Sequence, residues 1–266
     1  MTTNTIKLPK KKKTWKDVLL DFVLLGCLAV FLFAGWKLAT AFIEYRRGEE
    51  NYEAILQDSV TLSPADMEDK PEEEMLPVLD WAKLESMNRD FIGWLYIPDT
   101  TIQYPIVSSE DDEHYLAYTF DGTKNSCGSI FMDKSNKPDF TSDNTVLHGH
   151  NMKNGTMFGS LRKFEKKEYW EEHPYIWIIR ENIAMKYEIF AVCITEAASD
   201  VYTLEFGEEK NFQNYIADRI NGDAIFATGV NVTTNDRILT LSTCTSDTET
   251  GRRVVQAKLV DEKVIQ

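Results

Sequence analysis

The chain has 266 residues, 43% of them hydrophobic, enough for one sizeable domain with a true core and additions to it. Its formal net charge of −14 is unevenly placed: residues 1–47 carry +6, and the remainder carries twenty basic against forty acidic residues. An acidic body argues against nucleic acid as a partner, because phosphates call for a basic surface.

The first seventeen residues form a basic tail holding Lys7, Lys10, Lys11, Lys12, Lys13 and Lys16. An apolar run follows from Val18 to Trp36, broken by Asp21 and two glycines. Nineteen helical residues span about 29 Å, near the thickness of a bilayer core. We therefore expect a single-pass anchor over residues 18–43. The preceding lysines put the N-terminus in the cytoplasm and the body outside. Ala39-Thr40-Ala41 fits a small-x-small cleavage pattern, so a removed signal peptide is the competing reading. The run is longer than a signal peptide's apolar region, and both readings export the body.

Residues 44–75 read as an extracellular helix and linker. Glu44 to Gln57 continues as a polar helix, while Asp58 to Glu74 is broken by Pro64 and Pro71 and carries seven acids that repel one another. The catalytic domain is expected over 76–266. Pro77 is expected to open an amphipathic helix with Val78, Trp81, Ala82 and Leu84 among its apolar positions.

From Phe91 the pattern turns to short β-type runs separated by turns. These are Gly93 to Ile97, Thr101 to Val107, Ser129 to Met132, Thr145 to His148, Tyr175 to Arg180, Ala184 to Thr195, Arg237 to Thr243 and Arg253 to Val260. Many short strands suggest a mainly β barrel or sandwich. One helix interrupts them, with Phe212, Tyr215, Ile216, Arg219 and Ile220 on one face.

Four scattered cysteines make neither a disulfide framework nor a C-x-x-C metal or redox motif. Cys27 and Cys193 read as small buried hydrophobes. Cys244 ends a strand in which Ile238, Thr240, Ser242 and Cys244 share a face. If the next strand pairs with it as an antiparallel hairpin, an arginine at its start lies near Cys244. A guanidinium there favours thiolate and can hold an oxygen that is becoming negative. Taken alone, Cys244 reads first as a buried strand cysteine, and Arg252 as an exposed arginine pairing with Glu249.

Thr240-Leu241-Ser242-Thr243-Cys244 resembles the sortase signature Thr-Leu-x-Thr-Cys, and Arg252 followed by x-Val-Val resembles that family's downstream arginine. Leu147-His148-Gly149-His150-Asn151-Met152 is similar to its Gly-His-Asn-Met segment, continued by Asn154-Gly155-Thr156-Met157-Phe158. Gly128-Ser129-Ile130-Phe131-Met132-Asp133 and Gly93-Trp94-Leu95-Tyr96-Ile97-Pro98 look like segments of class B sortases. The resemblance covers roughly Leu84 to Val260. One departure is His148, where class B members usually carry Tyr before Gly-His-Asn. An H-x-H pair raises a metal reading, but no Asp, Glu or Cys ligand stands beside it in sequence, and no metal or cofactor is expected. A papain-type protease would carry its cysteine before its histidine, the reverse of the order here. A single-pass scaffold that only binds is the non-enzymatic alternative.

The resemblance implies an eight-stranded sortase-type β-barrel with added helices. It implies a cysteine transpeptidase that cleaves a C-terminal sorting signal of Asn-Pro-x-Thr-x type after Thr. The acyl group would pass to an amine of a peptidoglycan precursor such as lipid II, anchoring surface proteins to the cell wall. Cys244, His150 and Arg252 would be the catalytic residues; Ser242, Thr243 and Tyr215 would contact substrate. The helix in the long connection before the catalytic strand would carry part of the signal specificity.

Overall fold

The computed structural model describes residues 14–62, 76–245, 248 and 250–265. The lysines of the tail before Thr14, most of the acidic linker and Glu249 lie outside these residues. The chain divides into two units, Met1–Arg46 and Arg47–Gln266.

In the first unit the described residues belong to helix α1, Trp15–Ser59, whose apolar stretch is long enough to cross a membrane. Cys27 lies exposed on this helix rather than buried among side chains, because among the described residues none buries the apolar stretch.

In the second unit the end of α1 is not a free polar helix. Gly48, Tyr52, Ile55 and Ser59 are buried, a spacing of four, three and four that forms one helical stripe. The chain then pairs β1, Val60–Leu62, antiparallel with β2, Pro77–Leu79. This corrects the expectation that Pro77 opens a helix. Helix α2 is Trp81–Met87, and its N-cap is Asp80, which accepts a hydrogen bond from the Lys83 amide. Val78 is strand, paired with Thr61.

The remaining strands are β3 (Phe91–Tyr96), β4 (Gln103–Ser108), β5 (Ile130–Met132), β6 (Asn144–His148), β7 (Tyr175–Ile179), β8 (Ile183–Glu196), β9 (Ile238–Cys244) and β10 (Gly251–Val264). They close a barrel in the order β10-β8-β7-β3-β4-β5-β6-β9. Each of the eight expected strands is present, with ends shifted by at most two residues except the end of β10, which runs four residues further. Two pairs, β4–β5 and β6–β9, are parallel. Strand β9 is buried at every residue except Cys244, so its side chains do not alternate between core and water. Parallel neighbours and covered faces produce such strands.

Short helices α3, His114–Ala117, and α4, Lys167–Glu172, lie between earlier strands. The connection between β8 and β9 holds a short turn, Asp200–Tyr202, and helix α5, Glu209–Asp218. Val201, Phe206, Phe212, Tyr215 and Ile216 of the connection pack with Phe190, Ile238 and Val254 of the barrel. Burial in this packing pushes the Cys193 thiol up to about 12, so it stays protonated and inert. Arg219 follows α5 and is buried against Asp200 and Asp223, which explains a polar residue on an apolar face.

Candidate active site

The parallel register of β6 and β9 sets His148 beside Ser242, and the Gly149 amide donates to the Ser242 carbonyl at 3.2 Å. The same register offset, carried two residues on, takes His150 towards Cys244. Strand β6 has ended by then, and the chain folds back, with the Phe158 amide donating to the His150 carbonyl at 3.0 Å. Gly149 has no room for a side chain, since a Cβ there would stand 2.5 Å from Ile130 Cδ1 and 2.8 Å from Phe158 Cδ2. The Gly-His pair is thus a packing requirement as well as a chemical one.

On its other edge β9 pairs with β10, and Arg252 stands directly opposite Cys244. Cross-strand partners share a face, so the Arg252 side chain leaves the sheet on the Cys244 side. Its Nη1 donates to the carbonyls of Gly251 at 3.0 Å and Thr250 at 3.2 Å. Arg253 leaves on the opposite face, opposite Thr243. It is buried and bonded to Glu165, so it does not face solvent as an exposed arginine would.

Cys244, His150 and Arg252 line one cleft of about 480 Å³, together with Ser242, Thr243, His148 and Tyr202. Cys244 is exposed there. The His150 Nε2 lies 2.8 Å from the Leu116 carbonyl, at the end of the short helix α3, His114–Ala117. A carbonyl only accepts, so Nε2 carries the hydrogen and Nδ1 is left for proton exchange.

Among the substrate-contact expectations, Ser242 and Thr243 border the cleft and Tyr215 does not. Tyr215 is 3% exposed inside the core. Its hydroxyl donates to the Val201 carbonyl at 3.2 Å and accepts from Gln256, and Gln256 also donates to Thr240 at 2.9 Å. It ties α5 to the barrel wall, because a buried phenol must find partners. The long connection delivers Tyr202 to the cleft, along with Ala197, and the Tyr202 hydroxyl lies 2.8 Å from Ser242 Oγ. Burial raises the pKa of this phenol, against the opposing pull of the Ser242 hydrogen bond and the Arg252 guanidinium.

His148 has a partner that its sequence neighbours do not supply. Its Nε2 lies 3.3 Å from Asp133 Oδ2, just beyond β5, and its ring stacks with Tyr202. The His148 hydrogen bond is the main cause holding the Asp133 carboxyl below its ordinary value. Among the described residues no group of three His, Cys, Asp or Glu side chains is arranged to hold a metal ion. Asp133, Tyr202, Leu116 and Asp112 all line the cleft and escape sequence reasoning. Asp133 closes a segment already resembling class B members, which was a usable signal; Tyr202 sits in an aperiodic turn and carried none.

The closed barrel thus brings a cysteine, a histidine and an arginine to one cleft, where β6 and β9 end and β10 begins. The model of the sortase domain family matches residues 95–260. Sortase B of Listeria monocytogenes is 35% identical over 259 residues, spanning 94% of this chain and 99% of its own. The structure of sortase B from B. anthracis in complex with AAEK1 aligns with a TM-score of 0.69 at 29% identity, covering 83% of this chain and 99% of that one. A Staphylococcus aureus sortase B–substrate complex aligns at 0.68 and 26% identity, covering 82% and 99%. The chain belongs to the sortase family, in class B, whose members are cysteine transpeptidases that anchor proteins to the cell wall.

Proposed function

We propose that this protein cleaves an Asn-Pro-x-Thr-x type signal after Thr and joins the new carboxyl group to the amine of a lipid-linked peptidoglycan precursor. The observation that carries the reading is the meeting of Cys244, His150 and Arg252 in one cleft, with Arg252 as the cross-strand partner of Cys244. The Cys244 thiol passes its proton to His150, and the sulfur attacks the Thr carbonyl carbon and forms a C–S bond. The C–N bond then breaks, and the leaving amine takes a proton from His150. The incoming amine attacks the thioester, gives its extra proton to His150, and releases the Cys244 sulfur. Arg252 and backbone donors near Cys244 hold the carbonyl oxygen while it is negative. Ser242 and Thr243 border the bound peptide, as their position on the cleft wall supports. The catalytic body works outside the cell. The lysines ahead of α1 keep the N-terminus in the cytoplasm.

Incubation of the protein with a library of sorting peptides, read by the mass of the acyl-enzyme, tests this. Adducts ending in Thr from Asn-Pro-x-Thr-x peptides support the reading. Adducts drawn equally from unrelated peptides contradict the proposed signal.

A further inference from the structure

The proposed proton carrier, His150, is held by a loop, and that loop is held by the extracellular end of α1. The Tyr52 hydroxyl donates to the Gly128 carbonyl at 2.7 Å and lies 3.2 Å from Ser129 Oγ. The same oxygen accepts from the Phe120 amide at 3.3 Å. One phenol therefore joins two points of the segment that runs from Tyr115 to Ser129. That segment makes two contacts with His150. Its Leu116 carbonyl takes the Nε2 hydrogen, and its Gly128 backbone lies against the ring, where a Cβ would stand 3.1 Å from His150 Cδ2. Gly128 has φ +57°, and the same Cβ would stand 2.4 Å from the Tyr115 carbonyl oxygen, so neither turn nor ring has slack there. The segment is cross-tied further by the Ser129 amide on the Tyr115 carbonyl at 2.8 Å and Ser129 Oγ on the Tyr118 carbonyl at 2.9 Å.

We propose that Tyr52 is a positioning residue for the transpeptidation reaction: its hydroxyl fixes the Tyr115–Ser129 segment so that the Leu116 carbonyl holds His150 in the tautomer with Nε2 protonated. The Tyr52 hydroxyl then serves the reaction from a helix that is also a tether. Without the hydroxyl, the Gly128 carbonyl and Phe120 amide lose a shared buried partner, and the segment relaxes around them. A small displacement of a positioned acid–base group is costly in rate while leaving peptide binding in place. This rests on the reading of His150 as the proton carrier.

The test uses the full chain in detergent, with Tyr52→Phe compared against Ile55→Ala. Ile55 is buried on the same helical stripe and is 5% exposed, so its truncation weakens the docking of α1 without touching the hydrogen bonds. Turnover and KM are measured on a sorting peptide, thermal midpoints are recorded, and the His150 tautomer is read by nitrogen NMR of labelled histidine. Tyr52→Phe is expected to lower kcat about tenfold with KM unchanged and to mix the His150 tautomers. Ile55→Ala is expected to lower the thermal midpoint with kcat and tautomer unchanged. Wild-type kcat and an unmixed tautomer in Tyr52→Phe, or equal losses of kcat in both variants, overturns the proposal. His150→Ala run beside them separates the two readings: if it is inactive, failure belongs to Tyr52 alone, and if it keeps full turnover, the role of His150 falls instead.

Discussion

Two adjacent arginines differ in role because they leave opposite faces of β10. Arg252 shares the face of Cys244, and Arg253 is buried against Glu165. Arg252→Lys keeps the charge but loses the planar fork, and we expect turnover to fall about 10²-fold or more with little change in thermal midpoint. Arg253→Lys should show the reverse pattern: near-normal turnover per folded molecule and a stability loss of about 1–2 kcal/mol from a buried charge-assisted hydrogen bond. Parallel turnover and thermal-melt measurements on the two variants check this. The Asp133–His148 pair has a pH signature. The Asp133 carboxyl is held below its ordinary value in the folded protein, so its contribution is present above the usual carboxylate pKa of about 3.9 and is lost as pH falls through the lowered value. Asp133→Asn should therefore melt below wild type at pH 6, and the gap should close towards pH 3. A gap that stays constant across this range would show that the carboxylate charge contributes nothing.

At the scale of elements, the end of α1 changes where the catalytic body begins. The sequence suggests a body starting near Leu76, whereas the compact unit starts at Arg47, with Tyr52 and Ile55 buried. Each such side chain is worth about 1.5–3 kcal/mol of burial. A fragment starting at residue 76 should melt on the order of 10 °C below one starting at 47, since 1 kcal/mol moves a domain of this size by about 2–4 °C. Calorimetry of the two fragments decides it, and equal midpoints would return this helix to the role of a linker. The stripe Gly48, Tyr52, Ile55, Ser59 was legible as a helical period; acidic neighbours and a glycine masked it. The strand Pro77–Leu79 was not legible. Three residues carry no period, and their partner lies across the acidic linker. The barrel strands were legible because each is a run of β-branched and aromatic residues between turn residues, and a central barrel position does not override that preference. The cysteine, histidine and arginine came from motifs. Tyr202 came from no pattern, because one turn residue reaches the cleft through tertiary packing alone.

For the whole molecule, an apolar helix and a barrel with an exposed cysteine at its rim are joined in a single chain. Two of the four cysteines differ sharply in environment: Cys193 is buried with its thiol pushed up, while Cys244 is exposed in the cleft among Arg252, His150 and Tyr202. The account stands on a covalent thioester at that one sulfur. Mass spectrometry of the protein quenched during turnover of an Asn-Pro-x-Thr-x peptide measures it directly. The account predicts an added mass equal to the peptide through Thr, mapped to Cys244, discharged by an added amine and absent in Cys244→Ala. Peptide cleavage that continues in Cys244→Ala, or an adduct mapped to any other residue, would contradict it.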